Sequence, residues 1–213
     1  MMKELIDRFV AEAHRAGRER LMLCSSGNLS WRVDSDKALL SCTGSWVPNL
    51  TPDKVTLCNI SDGCVIEGGR PSMESSFHLG VLRERQDVNV VLHFQSQFAT
   101  AVACLKDKPD NFNVTAEVPC YVGRTVPVIP YYRPGSPELA AAVVREMADH
   151  DCVLLSKHGQ VVCGKDFDDA FQKAVFFEMA CGIIINAGPG NYTTLTEQEI
   201  EDLEIYVLGK SAK

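Results

Sequence analysis

Leu5, Ile6, Phe9, Val10 and Ala13 recur three and four residues apart near the start of the chain, with charged residues between them. That spacing marks one face of a helix and predicts one running through about Arg20. The period then changes. Short apolar stretches at residues 29–33, 38–42 and 55–60 read as strands, and Ser61-Asp62-Gly63 closes the third with a turn. A helix is expected from Ser72 or Met73 to about Arg85. After it comes a buried strand, Asn89-Val90-Val91-Leu92-His93, and a helix from about Ser96 to Leu105. Residues 126–129 read as a strand and Pro134-Gly135 as a turn. Ser136 with Pro137 opens a helix to about Asp149, because proline at the first helical position forfeits no hydrogen bond. Apolar strands at residues 152–156 and 160–164 flank Lys157-His158-Gly159, and helices at 167–186 and 196–208 close the chain.

Strands and helices are interspersed, yet several neighbouring strands are joined by short turns, which disfavours a purely parallel sheet. The expectation is an α/β, three-layer sandwich: a central, mostly antiparallel sheet flanked by helices. With no repeat, linker or low-complexity tract, residues 1–213 are expected to form a single domain.

Composition narrows the partners. The formal net charge of −7 lacks the basic field that a nucleic-acid surface needs, so no nucleic-acid partner is expected. An anionic substrate must be held by local donors instead. Nine cysteines without a Cys-x-x-Cys pair read as buried thiols in a reducing compartment rather than as a disulfide scaffold. Charges interrupt the apolar residues of the N-terminus throughout, unlike a signal peptide. No apolar stretch approaches the roughly 20 residues that span a bilayer. A soluble, cytoplasmic protein without a membrane partner is the expectation.

Candidate chemistry gathers at the ends of the predicted elements. His93 ends a strand and His158 sits in a turn between two strands, where a rigid sheet presents functional side chains. A lone histidine is more often structural than a ligand, but neutral imidazole is also the commonest metal ligand. Glu74 falls in the first turn of a predicted helix, where the macrodipole favours a carboxylate, so a capping role competes with a ligating one. His78, four residues on, shares that face and reads as either a ligand or a packing residue. Two small-residue segments, 25–30 and 42–45, set glycine beside hydroxyl and amide groups, a composition that suits a phosphate cradle and an ordinary turn alike.

The ordered set Gly27-Asn28-Leu29-Ser30, Thr43-Gly44-Ser45, Pro71-Ser72-Met73-Glu74-Ser75, Leu92-His93-Phe94-Gln95-Ser96 and Lys157-His158-Gly159 resembles the class II aldolase and adducin-head family. Within that family the closest resemblance is to the aldolases that cleave L-fuculose 1-phosphate. The resemblance runs over nearly the whole chain. It implies a metal-dependent aldehyde-lyase, splitting a ketose 1-phosphate into dihydroxyacetone phosphate and an aldehyde, L-lactaldehyde for L-fuculose 1-phosphate. It implies Glu74 as the acid/base and as a ligand of the empty metal. His93 and His158 match two zinc histidines, and Gln95 takes the place of a third. Gly27, Asn28, Thr43, Gly44, Ser72 and Met73 match the substrate's phosphate cradle. Zinc is the implied ion, one per chain, with manganese or cobalt as alternatives, and the implied assembly is a homotetramer.

Two departures stand out. Gln95 offers a neutral amide oxygen where the family has imidazole, a weaker zinc donor. Met73 removes a hydroxyl from the cradle. No tyrosine occupies the position of the family's proton donor, which reads Thr115-Ala116-Glu117-Val118-Pro119 here, leaving Tyr121 and Tyr206 as substitutes to weigh. Three other outcomes stay open on the same motifs. One is a sugar-phosphate epimerase, although those typically carry aspartate at the position of Glu74. The others are a sugar-phosphate dehydratase and a non-catalytic interaction module like the adducin head.

Overall fold

In the computed structural model, which describes residues 2–209, the apolar face of the first helix turns inward as its spacing requires. That helix, α1 (Met2–Arg18), buries Phe9, Ala13 and Ala16 and rests Leu5, Ile6 and Val10 against the same core. Strands β1 (Asn28–Arg32), β2 (Lys37–Ser41), β3 (Val55–Asn59) and β4 (Val65–Glu67) follow. Next come α2 (Ser75–Glu84), β5 (Val90–Phe94) and α3 (Gln97–Cys104), then β6 (Val128–Ile129) and α4 (Pro137–Glu146). The chain closes with β7 (Cys152–Leu155), β8 (Gly159–Gly164), α5 (Phe167–Ala187) and α6 (Glu197–Leu208).

The eight strands form one sheet in the order β4-β3-β2-β1-β5-β8-β7-β6. Every neighbouring pair is antiparallel except β6 and β7, which run parallel. Side chains alternate between the two faces of each strand, as the pleat demands. Leu29, Leu39, Val90, Leu92, Phe94 and Val162 pack into one core with α1, α3 and α5. Ala38, Leu40, Val91, Val153, Val161 and Cys163 pack into a second with α2 and α4. The result is the expected three-layer sandwich.

Helix ends follow their capping chemistry. Ser136 accepts from the Leu139 N–H with Pro137 behind it, and Thr196 and Glu199 form a reciprocal capping box. At α3, Ser96 occupies the cap position without capping. Glu178 of α5 does the work instead, receiving the Ser96 hydroxyl at 2.5 Å, the Phe98 N–H at 2.7 Å and the Ala99 N–H at 2.8 Å. These backbone donors belong to the orphaned first turn of a helix. Hydrogen bonds to a charged group contribute about 1.5–3 kcal/mol each. Glu178→Ala is therefore expected to destabilise the fold by about 3 kcal/mol, lowering Tm by roughly 6–12 °C at this size. Thermal unfolding of the two proteins checks it, and a Tm within 2 °C of wild type, to order of magnitude, would refute the trans cap.

Two elements carry no sequence signal, and two expectations need correction. β4 was not anticipated, because its three residues are exposed and carry no alternation. A π-helical turn at Val118–Val122 was also unforeseen. Glu74 does not lie inside α2. It is the residue before it, at φ −102° and ψ 8°, and its side chain makes no cap. Finally, α5 is long and apolar enough to cross a membrane. Phe167, Phe171, Phe177 and Ala174 are buried against the sheet, so its hydrophobicity serves the core. The nine cysteines are unpaired thiols, with Cys42, Cys58, Cys152, Cys163 and Cys181 buried.

Candidate active site and metal centre

Register gathers the candidate residues at one end of the sheet. β5 lies between β1 and β8 and runs opposite to both, so its last residues face their first. Asn28 pairs with His93, and Phe94 pairs with Gln160, two residues beyond His158. An isolated bridge between Cys42 and Pro71 draws the loop after β2 to the segment before α2, setting Thr43 and Gly44 near Ser72 and Met73. Gly27 has φ +84°, and a Cβ there would stand 2.6 Å from the His93 carbonyl oxygen. A Cβ on Gly159 would collide with the Phe94 carbonyl oxygen. Glycine at both places lets the two loops close on the end of β5.

Glu74, His93 and His158 present ligating atoms that all lie within 4.8 Å of one another. His93 is fully buried. Its Nδ1 lies 3.0 Å from the Gln160 carbonyl oxygen, an acceptor only, so Nδ1 carries the hydrogen and Nε2 presents a lone pair. That lone pair faces His158 Nε2 at 3.2 Å and Glu74 Oε2 at 3.2 Å. Glu74 Oε1 lies 3.5 Å from His158 Nε2 and, though buried, accepts no hydrogen bond. Burial and the neighbouring His93 ring hold His158 below the usual imidazole range, at about 4, so its ring is neutral at pH 7.

Acceptors converging in a buried space repel unless a cation lies between them. One hydrogen would relieve one contact, whereas a divalent ion would relieve all three. The donor set therefore fits a metal. Gln95 extends it: its amide nitrogen stands 2.9 Å from His93 Nε2 while its Oε1 is buried without a partner. A half-turn of that amide brings Oε1 to the same point as a fourth donor.

Around the carboxylate the polar groups are ordered. Asn28 Nδ2 donates to Glu74 Oε2 at 2.9 Å, and Glu74 N–H donates to Ser72 Oγ at 3.2 Å. His78 Nε2 bonds Asn28 Oδ1, and its Nδ1 lies 2.8 Å from Ser30 Oγ. His78 is neither a ligand nor a mere packing residue, and burial with the nearby His93 pushes its pKa well below the imidazole range. The Asn28 side chain is thus committed to Glu74 and His78 rather than standing free in the cradle. Thr43, Gly44 and Met73 are exposed, Met73 by 59%. Tyr121 packs at a tilt against Phe176 of α5, on the other side of the sheet from α2, and Tyr206 is 90% exposed on α6. Sequence reasoning missed Ser30 and the Gln160 carbonyl. The backbone group left no residue-type signal, and Ser30 was read only as part of a small-residue loop.

Fold and site define a class of protein. The family described as Class II Aldolase and Adducin N-terminal domain matches residues 7–185, and the chain belongs to it. Among its relatives is a 3-oxo-tetronate 4-phosphate decarboxylase of Haemophilus influenzae, 32% identical over 84% of this chain and 86% of that one. An L-fuculose phosphate aldolase of Methanocaldococcus jannaschii is 29% identical over 80% of this chain and 90% of its own. The crystal structure of YgbL from Escherichia coli, a putative aldolase/epimerase/decarboxylase, superposes with a TM-score of 0.87 at 30% identity, covering 94% and 97% of the two chains.

Proposed function

We propose that this chain is a metal-dependent lyase that breaks a carbon–carbon bond beside the ketone of a sugar-phosphate substrate, and that the bond is lost by decarboxylation of a 3-oxo sugar-acid phosphate. The observation that carries the reading is the convergence of Glu74, His93 and His158 with unpartnered acceptor atoms. A divalent ion held there by His93, His158 and Gln95, and by Glu74 when no substrate is bound, would act as a Lewis acid toward the substrate's carbonyl and hydroxyl oxygens. The protein's own groups then have two tasks. Thr43, Gly44, Ser72 and the Gly27 loop fix the phosphate, remote from the reacting carbon. Glu74 gives a proton to the carbon that keeps the electron pair of the broken bond.

Proton counting favours decarboxylation over aldol cleavage. Retro-aldol cleavage needs a base to take the hydroxyl proton from the departing aldehyde carbon and an acid to protonate the carbon left behind. Loss of carbon dioxide from a 3-oxo acid needs only the second. Among the described residues, Glu74 is the one proton-exchanging group in contact with the ligands that is not itself an imidazole committed to metal or to Asn28. Tyr121 and Tyr206 stand elsewhere. Similarity to named 3-oxo-tetronate 4-phosphate decarboxylases supports the same choice. The aldolase reading, with L-fuculose 1-phosphate as substrate, is the second, supported by the aldolase relatives. The test is to incubate metal-loaded protein with 3-oxo-tetronate 4-phosphate and with a panel of ketose 1-phosphates, measuring carbon dioxide and aldehyde together. Higher kcat/KM for aldehyde release would return the aldolase, and no turnover of either class would remove the lyase.

Zinc is the proposed ion, with manganese or cobalt favoured to the extent that Gln95 replaces nitrogen by oxygen. Gln95→His is expected to tighten zinc binding about tenfold or more, at least about 1.4 kcal/mol. Calorimetry on metal-stripped protein reads this directly, and an unchanged affinity would place Gln95 outside the ligand set. A cytoplasmic homotetramer belongs to the same reading, and the exposed Val175, Met179 and Ile183 on one face of α5 support association. Sedimentation tests it.

A further inference from the structure

We propose that His78 is a positioning residue that fixes the Glu74 carboxylate through Asn28. The inference rests on the reading of Glu74 as the proton donor. It follows from one chain of buried contacts in which each polarity forces the next.

A carboxylate only accepts, so the Asn28 edge facing Glu74 Oε2 at 2.9 Å is its N–H edge. The amide then turns Oδ1 toward His78 Nε2, which must carry a hydrogen to satisfy it. His78 Nδ1 is consequently bare and accepts the Ser30 hydroxyl hydrogen at 2.8 Å. Ser30 and His78 are at most 1% exposed, and Asn28 and Glu74 at most 8%, so water does not scramble the order. Strand alternation puts Asn28 and Ser30 on the face of β1 opposite Leu29, toward α2, which supplies His78.

The carboxylate is thereby fixed in orientation: Oε2 is tied to the Asn28 N–H, while Oε1 is buried without a hydrogen-bond partner. In the reaction the Glu74 O–H bond breaks as the carbon–hydrogen bond forms, its electron pair stays on the carboxylate, and water restores the proton. An untethered carboxylate would spend part of its time rotated out of line with the reacting carbon.

A purely structural histidine would satisfy the same contacts, so the experiment reads both polarity and catalysis. Long-range proton–nitrogen NMR on metal-free wild-type protein should find His78 neutral with hydrogen on Nε2; hydrogen on Nδ1 overturns the proposal. In metal-loaded protein, His78→Phe should lower kcat at least tenfold with KM within twofold. Ser30→Ala, the milder variant should His78→Phe fail to fold, should lower kcat severalfold with the same KM. Neither should add to the loss already caused by Asn28→Ala, since a group acting only through Asn28 has nothing to act on without it. Additive losses, or variants that lose thermal stability while keeping kcat, overturn the positioning role. If Glu74→Gln proved fully active, the proton-donor reading would fall, whereas the His78 tautomer would be unaffected.

Discussion

Glu74→Gln should lower turnover by 10²–10⁴-fold, about the contribution of general acid–base catalysis, while the protein keeps its fold. The substitution preserves size and leaves an oxygen able to accept the Asn28 N–H, so the contact at 2.9 Å survives in one amide orientation. What disappears is the ability to exchange a proton. His93 and His158 stay in place, because His93 is held by the Gln160 carbonyl rather than by Glu74. Metal content measured on the same preparation separates loss of the proton from loss of the ion. Exchange of the product's carbon-bound proton with deuterated water, followed by NMR, isolates the protonation step from bond cleavage. A metal-replete Glu74→Gln that exchanges at the wild-type rate would remove Glu74 from the acid/base role.

The fold was legible because its signals are local and periodic. The apolar stripe of α1 and the short apolar runs of β2, β3, β5, β7 and β8 each meet one requirement of burial, and the structure honours them within a few residues. The helix opened by Ser136 and Pro137 stops at Glu146 instead of near Asp149, since the residues beyond it belong to the turn into β7. β4 pairs at an exposed edge, where hydrophobic patterning has nothing to report. α5 shows the reverse problem. Burial made it apolar enough to resemble a membrane span, and only its packing tells the two apart.

The site was legible to the extent that side chains define it. Glu74, His93 and His158 stood out as chemistry at element ends, and register brings them together. Gln95 was visible as a departure in the pattern, but only geometry shows its oxygen stranded beside the cluster. His78 illustrates the limit. Its spacing from Glu74 was clear, yet its partners Asn28 and Ser30 are 50 and 48 residues distant, and a hydrogen-bond order across that gap has no sequence period. The committed Asn28 side chain is the same kind of information.

Removal of metal should abolish activity and lower stability together, and the second effect is the more discriminating. Lewis-acid stabilisation of several kcal/mol corresponds to a loss of about a thousandfold or more in rate, at roughly 1.4 kcal/mol per decade. Stability falls for a separate reason. An ion that binds only the folded chain adds RT ln(1 + [L]/Kd), about 2.7 kcal/mol at a hundred times Kd. Stripping also restores the repulsion among Glu74, His93 Nε2 and His158 Nε2, which stand 3.2–3.5 Å apart with too few hydrogens between them. The expected result is a chelated protein with lower Tm and no turnover, both restored by stoichiometric zinc. His158→Ala should reproduce the loss of turnover while blunting the rise in Tm on adding zinc, because one imidazole of the set is gone. A non-catalytic module of the same fold would behave differently: chelation would leave its Tm unchanged, and His158→Ala, on a partly exposed turn, would cost little. Tm insensitive to chelator and to added zinc would therefore defeat the metal centre even if some turnover were seen.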